Sequence, residues 1–210
     1  MGTTINEFKQ ILVKLSEVFA EKKEYLIEMD SVMGDGDLGI TMSKIFKVAA
    51  DDMKDFDGDT VGQLLMKAGM VMAKAAPSTM GTLMATAFME AGKKLKEKET
   101  LEAGDWILFF DGLQAGIVKR GKTSVGEKTI FDVLSPVYDY VQTLSHDSET
   151  LLFRDLTAHA AACLEKTRDM EAQHGKAACF GEKSKGHVDA GATVAFLLIE
   201  AIGQYFEDAA

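Results

Sequence analysis

Three aspartates, Asp30, Asp35 and Asp37, fall within eight positions of the stretch MDSVMGDGDLGITM at 29–42, with Gly34, Gly36 and Gly39 between and after them. Three carboxylates this close repel one another unless a cation sits among them. The glycines free the backbone to turn all three oxygens toward one point. A helix is expected directly behind the loop, so that its N-terminal amides face the same place and favour an anion. Carboxylates for a divalent metal beside amides for a phosphate describe a metal–nucleotide site. One aspartate in a turn would mean nothing, since Asp and Gly are ordinary loop residues; three at one helix start carry weight. A calcium EF-hand does not fit. Counted from Asp35, position 5 is Gly39 and position 12 is Phe46, where that loop needs an oxygen ligand and a bidentate glutamate.

Other stretches have weaker chemistry. Ala75-Ala-Pro-Ser-Thr-Met-Gly-Thr82 is a small-residue turn whose hydroxyls and amides suit phosphate oxygens, although Ser78 or Thr79 would equally cap the following helix. The glycine-bearing loops 120–129 and 175–191 let backbone approach a flat ligand. Arg120, Lys122, Lys128 and Lys176 in them are candidates to balance phosphates. His187 is a lone loop histidine, more often neither base nor ligand.

These groups need elements to hold them, and the apolar spacing says which. Ile5, Phe8, Ile11, Leu12, Leu15, Val18 and Phe19 recur every three or four residues, predicting a first helix capped by Thr3 or Thr4 and running through Leu26 to the aspartate loop. A second helix is predicted over about 38–53 with Ile40, Ile45, Phe46 and Val48 inward. A third follows Asp59 or Thr60 and carries Val61, Leu64, Leu65, Ala68, Val71 and Met72. Residues 83–91 are apolar almost all round, so a helix there is buried on several sides. Further helices are predicted at about 102–119, at 128–144 with Pro136 imposing a kink or a lost hydrogen bond, at 151–170 and at 191–206. Residues 173–190 form a long ordered loop. No stretch alternates apolar and polar residues, so the expectation is all-α: eight helices and essentially no strand, in a single domain spanning 1–210.

With 47% hydrophobic residues the chain is globular rather than disordered. A net charge of −10 and the lack of a strong Lys/Arg cluster argue against nucleic-acid binding. Cys163 and Cys179 lack metal-ligand spacing and are expected as reduced thiols. The opening helix is charged throughout, unlike a signal peptide, and the longest apolar run, 190–199, is about half of the roughly 20 residues that span a bilayer. The expectation is a cytoplasmic protein without a membrane partner.

GDGDLG at 34–39, with Asp30 upstream, resembles the GDGDHG signature of the nucleotide-binding L subunit of dihydroxyacetone kinase. RGK at 120–122, GEKT with Asp132 at 126–132, and GEKSKGH-x-D-x-GA at 181–192 match further motifs of that family in the same order. The resemblance implies an eight-helix antiparallel barrel with a nucleotide, ADP or ATP, at one end. It implies two Mg2+ ions on the residues matching Asp30, Asp35 and Asp37. Leu38, Gly39, Ile40 and Thr41, with Ser78, Thr79 and Met80, fall where phosphates are contacted; Gly121, Ile130, Lys176, Asp189, Ala190 and Gly191 fall around the nucleoside. The implied acceptor is a short-chain ketose such as dihydroxyacetone, held covalently by a histidine of a separate K subunit. In the phosphotransferase-linked branch, which the length of the chain favours, bound ADP is recharged in place by a phosphohistidine-carrying protein.

The chain departs from the pattern at four places. Leu38 stands for the family's histidine, Met80 for a serine, Lys176 for an arginine and Ala190 for a proline. These departures motivate alternatives: a regulatory module that binds nucleotide without transferring phosphate, or the L subunit of an ATP-dependent kinase for another ketose. No general base stands out, so no catalytic residue is assigned. Phosphoryl transfer needs positioning and charge neutralisation above all.

Overall fold

The structure, a computed structural model, describes residues 2–210. Thr4 starts the first helix through a reciprocal cap: its Oγ1 accepts from the Glu7 amide at 3.3 Å, and the Glu7 carboxylate accepts from the Thr4 amide at 2.7 Å. The stripe Phe8, Ile11, Leu12, Leu15, Val18 and Phe19 is buried as its spacing requires. Each such side chain contributes about 1.5–3 kcal/mol relative to exposure. The helix does not reach the aspartates unbroken. It ends as α1 (Ile5–Glu21), and after a break at Lys22 a second piece, α2 (Lys23–Ser31), continues. Helices α3 (Leu38–Met53), α4 (Val61–Ala75), α5 (Thr79–Lys94), α6 (Trp106–Gly121), α7 (Phe131–Val141), α8 (Glu149–Lys166) and α9 (Ala190–Asp208) follow. The break at Lys22 is why nine α-helices stand among the described residues where eight were expected.

Packing closes these helices into a ring. Helix α1 packs on α3, and each helix from α3 to α9 packs on the next; α9 returns to α1, while α2 lies on α3. Eight helices thus form the wall, each packed on its neighbour in chain order. The interior is filled by aromatics: Phe19 stacks on Phe46 at 4.6 Å, Phe46 meets Phe88 edge-on, and Phe88 meets Phe109. Trp106 adds edge contacts to Phe109, Phe153 and Phe206. Such pairs add about 0.5–1.5 kcal/mol each beyond area burial.

Five local expectations need correction. Ile40, predicted inward, is 52% exposed; Gly39 and Met42 take the inward positions of that turn instead. Val48 is only half-buried. A two-stranded ribbon pairs β1 (Thr3–Thr4) with β2 (Thr100–Leu101), too short to show as alternation. The predicted loop 173–190 contains 3-10 turns over Lys176–Ser184, broken at Gly181. Pro136 sits inside α7, which is shorter than predicted, and Cys163 and Cys179 are free thiols as expected. Among the described residues, no helix is long and apolar enough to cross a membrane.

Candidate functional site

The aspartates converge because two elements meet at a turn. Asp30 sits in the last turn of α2, Asp35 in the loop and Asp37 directly before α3. One oxygen from each lies within 4.8 Å of the others. Glycine is required twice here: a Cβ on Gly34 would strike the Asp30 carboxylate at 2.1 Å, and Gly36 holds φ +71°. The Asp37 side chain caps nothing on α3, so its carboxylate is free to face the other two. Burial, then repulsion from Asp35 and Asp30, pushes the Asp37 carboxyl up. Lys176 bonds Asp35 and holds its carboxyl below the usual range. Three hard oxygen donors in mutual repulsion fit a divalent cation such as Mg2+.

Three helix N-termini point at the same region. In α3, Thr41 makes the first intrahelical bond, to the Asp37 carbonyl at 2.8 Å, and the Leu38 amide reaches Asp30 Oδ2 at 3.4 Å. The Gly39 and Ile40 amides therefore have no intrahelical acceptor. In α5, Ser78 accepts from the Gly81 amide at 3.1 Å, and its hydroxyl lies 3.2 Å from that of Thr41, joining the two helix starts. In α9, Asp189 accepts from the Ala192 amide at 2.7 Å. Together the three dipoles favour anionic groups.

Two adjoining cavities occupy this end of the barrel. One, about 300 Å³, is lined by the three aspartates, Leu38, Thr79, Met80, Ile130, Lys176, and Asp189, Ala190 and Gly191. The other, about 480 Å³, is lined by Ser78, Thr79, Arg120, Gly121, Thr123, Ile130 and His174. Thr79, Leu83, Thr129, Ile130, His174 and Gly175 belong to both, so the two form one cleft. Thirteen of the sixteen predicted site residues line it. Gly39, Ile40 and Thr41 do not, because the α3 turn places Gly39 and Thr41 in the core side and Ile40 outward. Of the four predicted phosphate-balancing cations, Arg120 and Lys176 line the cleft and Lys122 lines neither cavity. Lys128 borders the smaller cavity but is buried, donating to the Thr167 carbonyl at 2.7 Å and the His187 carbonyl at 2.6 Å. His187 itself contributes only that carbonyl.

Nothing local in the sequence marks His174; it becomes significant through Glu127, whose Oε2 lies 2.6 Å from its Nε2. Asp132 is buried and organises loop 126–129, accepting from the Gly126 amide at 2.5 Å and the Thr129 amide at 2.7 Å.

Burial also pushes the Asp189 carboxyl up to about 6. Raised above its ordinary value, it takes up a proton in the folded chain between pH ~4 and ~6 that the unfolded chain does not bind. Its ionisation is therefore a cost to stability that is fully present above about pH 6 and is relieved as pH falls through that value. Asp189→Asn keeps the cap acceptor and removes the charge. Thermal denaturation is expected to show the variant more stable than the wild type at pH 7.5, with the gain shrinking toward zero near pH 4. A gain that grows on acidification would contradict this account.

The DAK2 domain family matches residues 32–204. The chain is 34% identical over 185 residues to the ADP-binding subunit DhaL of PEP-dependent dihydroxyacetone kinase 1 from Listeria innocua serovar 6a, covering 88% of each chain. It is 29% identical over 197 residues to the ADP-binding subunit DhaL of the PEP-dependent dihydroxyacetone kinase of Escherichia coli K12, covering 91% of this chain and 92% of that one. Among solved structures, the dihydroxyacetone kinase of C. freundii in complex with AMP-PNP and Mg2+ superposes with a TM-score of 0.72 at 19% identity. That match spans 97% of this chain and 34% of the other, and it bears on the fold alone.

Proposed function

Because the chain belongs to the DAK2 domain family, as a divergent DhaL-type member, we propose that it is the nucleotide-binding subunit of a short-chain ketose kinase. Residues 1–210 act as one domain that binds ADP or ATP with Mg2+ in the cleft. The observation that carries this reading is the meeting of three aspartate carboxylates and three helix N-termini in one cleft.

Asp30, Asp35 and Asp37 hold the metal, two ions by the family resemblance. When bound, Mg2+ neutralises charge that develops on the phosphates. The amides at 38–40 and 79–80 bind phosphate oxygens, which leaves Gly39 and Ile40 acting through backbone rather than side chain. Thr41 holds Ser78 and so couples the two helix starts. Gly121, Ile130, Ala190 and Gly191 face the nucleoside, and Asp189 fixes the start of α9. Lys176 orients Asp35 from across the cleft. The acceptor, a ketose of the dihydroxyacetone type, is presented by a separate K subunit, and a phosphohistidine-carrying protein of the phosphotransferase system recharges the nucleotide in the cytoplasm. That similar chains are named ADP-binding subunits of PEP-dependent dihydroxyacetone kinases supports the nucleotide-binding role.

One observation favours a second reading. Leu38 is 5% exposed and apolar where the resemblance expects a histidine beside the phosphates, so a nucleotide-binding module without transfer has a physical basis.

Calorimetry on nucleotide-free protein tests the proposal. Mg2+-dependent binding of ADP or ATP is expected, with a thermal shift of roughly 2.7 kcal/mol of added stability at ligand 100-fold above Kd. No binding with or without Mg2+ would sink both readings. Ketose phosphorylation after addition of a K subunit and phosphoryl donor then separates the kinase from the regulatory module.

A further inference from the structure

We propose that Lys128 is the positioning residue that sets the width of the nucleotide cleft, its single ammonium bridging the wall that carries Ile130 and the wall that opens α9. The inference rests on the cleft being a nucleotide site and adds how its walls are held.

Lys128 is charged yet only 3% exposed. A buried ammonium persists only where acceptors replace its water. Here they are two backbone carbonyls from separate segments, Thr167 at 2.7 Å and His187 at 2.6 Å. The Lys128 backbone is left-handed at φ +59°, a conformation uncommon outside glycine. Asp132 enforces it by holding the amides on either side, Gly126 and Thr129. Such a conformation is kept where the surroundings over-determine it. The result is a side chain directed away from its own loop and under the segment leading into α9.

The same joint is tied twice more. The Asp189 amide donates to Thr167 Oγ1 at 2.9 Å, and Thr167 Oγ1 donates to the Leu164 carbonyl at 2.7 Å, anchoring the joint to the end of α8. The walls it joins are close, since a Cβ on Gly191 would lie 3.4 Å from the Ile130 amide nitrogen. Two of three ammonium protons are committed to carbonyls, so the lysine acts by holding backbone rather than by reaching phosphate.

Lys128→Met keeps the length of the side chain and removes the donors. Calorimetry with Mg2+ and either ADP or AMP should show Kd raised by the same factor for both, about tenfold to hundredfold, as a misplaced wall predicts. A loss larger for ADP than for AMP would mean that Lys128 touches phosphate directly, and unchanged affinity would mean the wall stands without it; either overturns the proposal. Arg168→Met covers the case in which Lys128→Met fails to fold. Arg168 lies exposed outside the cleft and supports the same segment through the Gly186 carbonyl, to which its Nη1 donates at 2.8 Å. A smaller loss, equal for ADP and AMP, is expected; wild-type affinity in this variant, with Lys128→Met unfolded, would assign Lys128 to fold maintenance and overturn the proposal. A wild-type chain that binds neither nucleotide overturns the reading of the cleft itself, and this inference with it.

Discussion

Asp35→Ala is expected to abolish Mg2+-dependent retention of ADP while leaving the helical circular dichroism in place. Asp35 is half-exposed and its one side-chain partner is Lys176, so its removal takes nothing from the core. It also relieves part of the strain on Asp37, whose carboxyl is pushed up by burial and then by the neighbouring aspartates, and in exchange gives up an exposed ion pair with Lys176, so the metal-free chain should lose little stability. What is lost is one of three convergent oxygen donors. Losing an outer-shell partner of a metal ligand already costs roughly 10–100-fold in affinity, and losing a ligand itself should cost more. Calorimetry and the thermal shift with Mg2+ and ADP read the effect directly. An unfolded variant would make the loop structural rather than metal-binding, and full affinity would remove Asp35 from the site.

The second large effect lies at a helix–helix seam. Helices α5 and α6 touch through backbone: a Cβ on Gly112 would sit 2.2 Å from Ala91 Cα, and one on Gly116 2.5 Å from Ala87 Cα. Backbone atoms cannot swing aside as a side chain does, so one added methyl must push the helices apart or bend them. Overpacking of this kind costs about 1–3 kcal/mol, occasionally more. Gly112→Ala should therefore lower the melting temperature by roughly 2–4 °C for each kcal/mol, and Gly112→Val by more. Gly104→Ala is the control, since nothing lies within 4 Å of its added methyl. Equal melting temperatures for Gly112→Ala and Gly104→Ala would show that the seam is looser than it looks.

Most of the fold is legible in the sequence because amphipathic spacing is a local signal. Positions such as Ile11, Leu15 and Phe19 declare a face without reference to any other helix. Ile40 shows the limit of that signal: in α3, Gly39 and Met42 lie against other elements, and only their presence decides which side of the first turn is inward. The break at Lys22 carries no proline or glycine that would announce it, and the piece beyond it packs on α3. The aspartate cluster was visible because its members are close in sequence. Lys128 was not, because a lysine in a glycine-bearing loop looks solvated until Thr167 and His187, 39 and 59 positions away, arrive around it. His174 and Glu127 are 47 positions apart and illustrate the same limit.

The division of the first helix at Lys22 has a consequence for how the site comes apart. Helix α2 is nine residues long and buries one side chain, Leu26, whereas α1 buries six. Isolated helices of that length do not persist in water. Segments with so little burial open locally at far lower free energy than the whole fold requires. An opening confined to α2 leaves the ring closed, since α9 still packs on α1 and α1 on α3. It nevertheless carries Asp30 away from Asp35 and Asp37. The acidic cluster is thus assembled across a boundary between a durable part of the molecule and a readily melted one. A cation shared by the three carboxylates would stitch that boundary, so that release of the metal and fraying of α2 become one event.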